Sequence, residues 1–155
     1  MKTKHLIIAA AMAFIGLSAS ATASASCCGA PAAPKYVFLF IGDGMGMGPV
    51  MSTLAYQRMV HPTDTLLMST FPVVSWCQTY SASSPVTDSA AAGTALSAGV
   101  KTKNGMLGMS PDTVAVISVA RQLKDKGWGV GIIISVAPDD ATPGAFYTHV
   151  PHRSM

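Results

Sequence analysis

The sequence predicts an α/β fold, a largely parallel sheet with flanking helices. Three observations predict it. Tyr36–Ile41 is a continuous apolar run with aromatic and β-branched residues, as a strand buried on both faces is, and Trp128–Val136 reads as a strongly apolar strand. A third stretch, Val73–Tyr80, alternates and puts Val74, Trp76 and Tyr80 on one face. Helix-forming segments separate these stretches, so the order reads strand, helix, strand, helix, helix, strand, helix. In such sheets ligands gather at the carboxyl ends of the strands.

The first 25 residues stand apart from that pattern. Lys2, Lys4 and His5 make a positive start, and Leu6–Leu17 is an apolar run of 12 residues, too short to span a bilayer comfortably. Ala21-Thr22-Ala23 and Ala23-Ser24-Ala25 are small-x-small cleavage sites. Residues 1–25 therefore read as a secretory signal peptide, and the expected location is periplasmic or secreted. Cys27 is the position a lipid anchor would use, but Ser24 stands where a bulky aliphatic is expected, so soluble export ranks first. Residues 26–35 read as a Gly/Pro/Ala linker and 36–155 as the folded part.

The Tyr36–Ile41 strand runs into Gly42-Asp43-Gly44, and Pro49 suits the first turn of a helix reaching about Met59. After Val73–Tyr80 and a Ser/Pro loop comes Asp88-Ser89-Ala90-Ala91-Ala92-Gly93-Thr94, a helix with Ser89 near its N-terminus. A turn at Asn104-Gly105 follows. Ser110-Pro111 is expected to open the next helix, with Val116, Ile117, Ala120 and Leu123 on one face. Gly127 is expected to end it. Beyond the Trp128–Val136 strand, a last helix starts near Pro143.

Composition narrows the function. The formal charge of +3 falls to eight basic against seven acidic residues once Lys2 and Lys4 are set aside. No basic stripe remains, which argues against nucleic acid as a partner. All seven acids are Asp; the chain has no Glu. Cys27, Cys28 and Cys77 are an odd number for an exported chain, which implies a free thiol or an intermolecular bond.

Three segments carry the candidate chemistry, and each also has a plainer reading. Ser89 beside Asp88 sits where unpaired N–H groups and the positive dipole end favour anions. The small residues after it admit a large anionic group, although a serine capping a buried Ala-rich helix has the same pattern. Asp43 between two glycines suits a hard cation or zinc, and equally a turn Asp bonding its own backbone. Asp140 and Thr142 offer two oxygens to magnesium, or a helix cap. Asp139 is a weaker candidate for that role. Arg153 can hold two phosphate oxygens in a fork, or stand as a surface arginine. His61, His149 and His152 read as structural or solvated.

Together these segments resemble the N-terminal part of a bacterial alkaline phosphatase. The matching motifs are Ile41–Gly46, Val86–Thr102 with Asn104-Gly105, and Asp140–Val150 with Arg153. The resemblance runs from Tyr36 to Arg153 and implies a metal-dependent phosphate-monoester hydrolase that forms a phosphoserine. It implies Ser89 as nucleophile and zinc contact, Asp43 bridging zinc and magnesium, and Asp140 and Thr142 serving magnesium. It also implies Arg153 on the substrate phosphate and Asp88 orienting Arg153 and the helix start. Metal coordination is what makes a serine hydroxyl a competent nucleophile, and a second zinc would stabilise the leaving oxygen. The expected partners are phosphate monoesters and, in a homodimer, a second copy of the chain.

Two other functions suit the same residues: a phosphodiesterase or other phosphoryl-transfer enzyme of the superfamily, and a non-catalytic phosphate- or metal-binding fragment. A fork on two free oxygens favours the monoester. In the resembled family the remaining zinc ligands and a magnesium Glu lie further along, so the chain is expected to be an incomplete copy, inactive alone.

Overall fold

The structure is a computed structural model that describes residues 34–155. The expected signal peptide and the linker up to residue 33 lie outside the described residues. The chain divides at Leu39, and Phe40–Met155 forms the unit that carries the features below.

Four helices order this unit: α1 (Met47–Val60), α2 (Ser89–Ala98), α3 (Val119–Asp125) and α4 (Ala141–Gly144), with a 3-10 turn at Leu67–Thr70. α1 and α2 fall where the sequence puts them. Pro49 lies in the first turn of α1, where its missing N–H costs nothing, and its carbonyl accepts the Thr53 hydroxyl at 2.9 Å. α2 is capped by Asp88, whose side chain accepts the Ala91 N–H at 2.9 Å.

α3 begins later than Ser110-Pro111 predicts. The Ser110 N–H donates to the Val114 carbonyl at 2.7 Å and the Ser110 hydroxyl accepts the Val114 N–H at 3.3 Å. Thr113 sits at φ 63, so this stretch closes into a turn instead of a helix. Ser118 is the true cap, accepting from the Arg121 N–H at 3.2 Å. The expected stop holds: α3 ends just before Gly127, which adopts φ 83.

The sheet is where expectation and structure part. Among the described residues the predicted strands form no ladder. Pairing is limited to two single antiparallel bridges, Leu107 with Val150 and Met109 with Ala115. A strand in a parallel sheet is fixed by neighbours on its edges and helices on its faces. Val73–Tyr80 and Trp128–Val136 lack that enclosure: Val74 is 82% exposed, Trp76 88% and Ile133 100%.

The core is correspondingly small. Ala90, Leu107, Ala141 and Ala145 are buried together, with Val150 packed against them. α2 and α4 can meet because Gly93 has no side chain; a Cβ there would lie 2.9 Å from the Ala145 Cβ. Buried hydroxyls then tie the elements to one another. Ser97 donates to the Ala145 carbonyl and Ser118 to the Phe146 carbonyl, each at 2.7 Å. Thr94 Oγ1 donates to the Ala90 carbonyl and accepts the Gly108 N–H, both at 3.0 Å. Small residues with satisfied hydroxyls can pack as tightly as larger apolar ones, and leave no buried donor stranded.

Candidate functional site

The packing of α2 on α4 brings two helix starts together. Ser89 opens α2 and Asp140 caps α4, its Oδ1 accepting the Ala141 N–H. Arg153, past the end of α4, spans the pair. Its Nη1 donates to Ser89 Oγ and its Nη2 to Asp140 Oδ1, each at 2.8 Å. Two residues beyond Asp140, the Thr142 hydroxyl donates to Asp43 Oδ2 at 2.9 Å. Asp43, Asp140, Thr142, Arg153 and Ser89, drawn from three distant segments, thus form one polar cluster. Asp43, Asp88, Ser89 and Thr142 share a cleft of about 400 Å³ with Thr87 and Leu96.

The Arg153–Asp140 pair is half-exposed, with side chains 36% and 41% accessible, so it adds about 1 kcal/mol or less to stability. Its effect is on direction: one edge of the guanidinium is held while the other faces the serine oxygen. Asp88 reaches Arg153 by a different route from the one the resemblance implies. Its Oδ1 caps α2, and its Oδ2 accepts the Gly105 N–H at 2.8 Å. The Gly105 carbonyl accepts the Arg153 backbone N–H at 2.6 Å. The carboxylate directly on the guanidinium is Asp140.

The remaining candidates have other partners. His149 Nδ1 is 2.7 Å from the Gly108 carbonyl, and His152 Nδ1 is 2.7 Å from Ser154 Oγ. Cys77 is free and exposed. A larger cleft of about 560 Å³, lined by Ile117, Val130, Ile132, Phe146 and His149, contains none of the candidate site residues. Sequence reasoning missed Asn104 and Gly105 as parts of the site; an Asn-Gly pair signals a turn but not where its groups point.

The donors present can be tested against the metals the sequence suggests. Cis oxygens of an octahedral magnesium, with bonds near 2.1 Å, stand about 2.9 Å apart. Asp43 Oδ2 and Thr142 Oγ1 have that separation and that hard-oxygen chemistry, so they fit magnesium. Zinc fits less well. A catalytic zinc takes about three protein ligands, and no three His, Cys, Asp or Glu side chains converge among the described residues.

A hydroxyl at a helix start, faced by a guanidinium and neighboured by hard-oxygen donors, is chemically suited to a phosphate group. The chain belongs to the alkaline phosphatase family, whose family model matches residues 34–155. It is 36% identical over 98 residues to the alkaline phosphatase of Gadus morhua, a match covering 57% of this chain and 20% of that protein. It is 37% identical over 98 residues to the human tissue-nonspecific isozyme, covering 57% and 19%. Among solved structures, cold-active alkaline phosphatase from a psychrophilic Shewanella sp. superposes with a TM-score of 0.67 at 30% identity, covering 73% of this chain and 29% of that one. A variant of the TAB5 alkaline phosphatase with magnesium bound gives 0.65 at 30%, covering 73% and 31%. The chain thus matches about a fifth of the length of these curated relatives and under a third of these structures. The neighbours support an α/β class for the chain and leave its sheet arrangement as the structure has it.

Proposed function

We propose that the chain supplies the nucleophile, the phosphate-binding guanidinium and the magnesium oxygens of a phosphate-monoester hydrolase. The observation that carries this is Arg153, fixed by Asp140 and directed at Ser89 Oγ from 2.8 Å. Ser89 Oγ forms a bond to the phosphorus as the bond to the ester oxygen breaks, and the serine proton ends on that oxygen, which departs as the alcohol. Water then attacks the phosphorus, the bond to Ser89 Oγ breaks, one water proton restores the hydroxyl, and orthophosphate leaves. Arg153 turns the N–H now on Ser89 toward phosphoryl oxygens, offsetting their charge as the transfer proceeds. The first N–H groups of α2 lie at the same place.

Asp43, Thr142 and Asp140 would hold magnesium, and a divalent cation there neutralises phosphate charge. Zinc is part of this reading by family membership, with its other donors coming from outside the described residues. Phosphate monoesters are favoured over diesters because a two-pronged guanidinium is matched by a phosphoryl group with free oxygens to offer. The same reading keeps residues 1–25 as an export signal and 26–35 as a linker before the phosphatase part, with a periplasmic or secreted destination.

The test is a chimera in which residues 34–155 replace the matching stretch of the Shewanella enzyme. Acid quenching during turnover of a radiolabelled monoester should trap label on Ser89, and Ser89→Ala should trap none. Label on another residue would sink the assignment.

A further inference from the structure

Asn104 and Gly105 lie outside the roles given to Ser89, Asp88 and Arg153, yet between them they bond to Asp88, the residue before Ser89, and to the Arg153 backbone. The Asn104 side chain bridges the segment leading into α2: its Oδ1 accepts the Asp88 N–H at 3.2 Å and its Nδ2 donates to the Val86 carbonyl at 3.0 Å. Its own N–H donates to Ser83 Oγ at 2.9 Å, which fixes the turn to the loop before α2. Gly105 is the next link. Its N–H goes to Asp88 Oδ2 at 2.8 Å and its carbonyl takes the Arg153 N–H at 2.6 Å. One peptide unit and its neighbour therefore set how far the backbone of Arg153 stands from the start of α2. The position needs glycine for two reasons. Its φ is 85, and a Cβ would lie 2.8 Å from the His152 ring, one residue before Arg153.

We propose that Asn104 and Gly105 are positioning residues that fix the approach of the Arg153 guanidinium to Ser89 Oγ. They touch neither substrate nor reacting atoms. They act by holding two elements at one separation, and errors of about 1 Å in such a separation can cost a hundredfold in rate. What that approach is for rests on the phosphate reading above.

The test uses the full chain, isotope-labelled at arginine nitrogens, with the Arg153 signal assigned by its loss in Arg153→Lys. In the wild type the guanidinium signals should be resolved and slow to rotate. In Asn104→Ala they should collapse to those of a free side chain, while the melting temperature changes little, because Asn104 lies on the surface. Asn104→Asp keeps the acceptor for the Asp88 N–H and should restore part of the signature. Gly105→Ala should lose it, and adding His152→Ala should recover some of it by freeing the space. Orthophosphate titration is the second readout, with Asn104→Ala weakening binding roughly tenfold. An unchanged Arg153 signature in Asn104→Ala, or a wild-type guanidinium that already turns freely, overturns the proposal even if phosphate binds. A collapsed signature in a chain whose wild type takes up no orthophosphate leaves the positioning standing and removes the phosphate reading instead.

Discussion

Asp43 and Asp140 are both candidate carboxylates, but they are used differently, and that difference is testable. Among the described residues Asp43 Oδ2 has only the Thr142 hydroxyl as partner, a bond a cation can replace at little cost. Asp140 Oδ1 already holds Arg153 and the α4 cap. In the chimera, Asp43→Ala should therefore lose both magnesium and zinc, whereas Asp140→Ala should lose mainly magnesium and also free Arg153. Metal analysis of the purified variants checks this, and unchanged metal content in both would refute the site. At this scale the sequence singled out Asp43, Ser89, Asp140, Thr142 and Arg153 by residue type and motif, and the structure gathers these side chains into one cluster. What it did not reveal was the pairing. That Asp140, and not Asp88, holds the guanidinium depends on how α4 seats on α2, which no local pattern encodes.

Elements show why some boundaries are legible and others are not. α2 announces itself through Asp88 and a run of small residues, because its cap and its packing face are local. The start of α3 is not local. Ser110-Pro111 has the look of a helix opening, but Ser110 bonds back to Val114, while Ser118 gains the Phe146 carbonyl at 2.7 Å as well as a cap. Ser118→Ala should thus cost about 1 kcal/mol from the cap, plus the stranded Phe146 carbonyl, measured by denaturant midpoint. Gly93 makes the stronger case. Gly93→Val places branched carbon where a Cβ is already 2.9 Å from Ala145, and should cost roughly 1–3 kcal/mol by overpacking. Because that contact also sets Ser89 against Asp140 and Arg153, the variant should weaken orthophosphate binding as well as stability. A variant destabilised to that degree with full phosphate binding would show that α2–α4 spacing does not control the site.

The whole molecule raises the question of what the chain does unaided. Its apolar stretches carry the residue types of buried strands, yet none of them forms a strand among the described residues: such a segment becomes a sheet only when neighbours are present, and Val73, Val74 and Trp76 stand more than 80% exposed. Open apolar segments of that kind promote association. The catalytic consequence follows from donors. Asp43 and Ser89 share the cleft and can both contribute to one zinc, but about three protein ligands are usual for a catalytic zinc. Among the described residues no three suitable side chains converge, and His149 and His152 bond elsewhere. On the mechanism proposed above, Ser89 needs those cations to give up its proton and the leaving oxygen needs them for support. The 155-residue polypeptide, expressed without its first 25 residues and supplied with zinc and magnesium, should therefore bind less than one zinc per chain. It should hydrolyse an aryl phosphate no faster than its Ser89→Ala variant. Robust turnover that vanishes in Ser89→Ala would overturn this ligand count. It would mean that a second copy of the chain, or residues outside the described ones, completes the metal site.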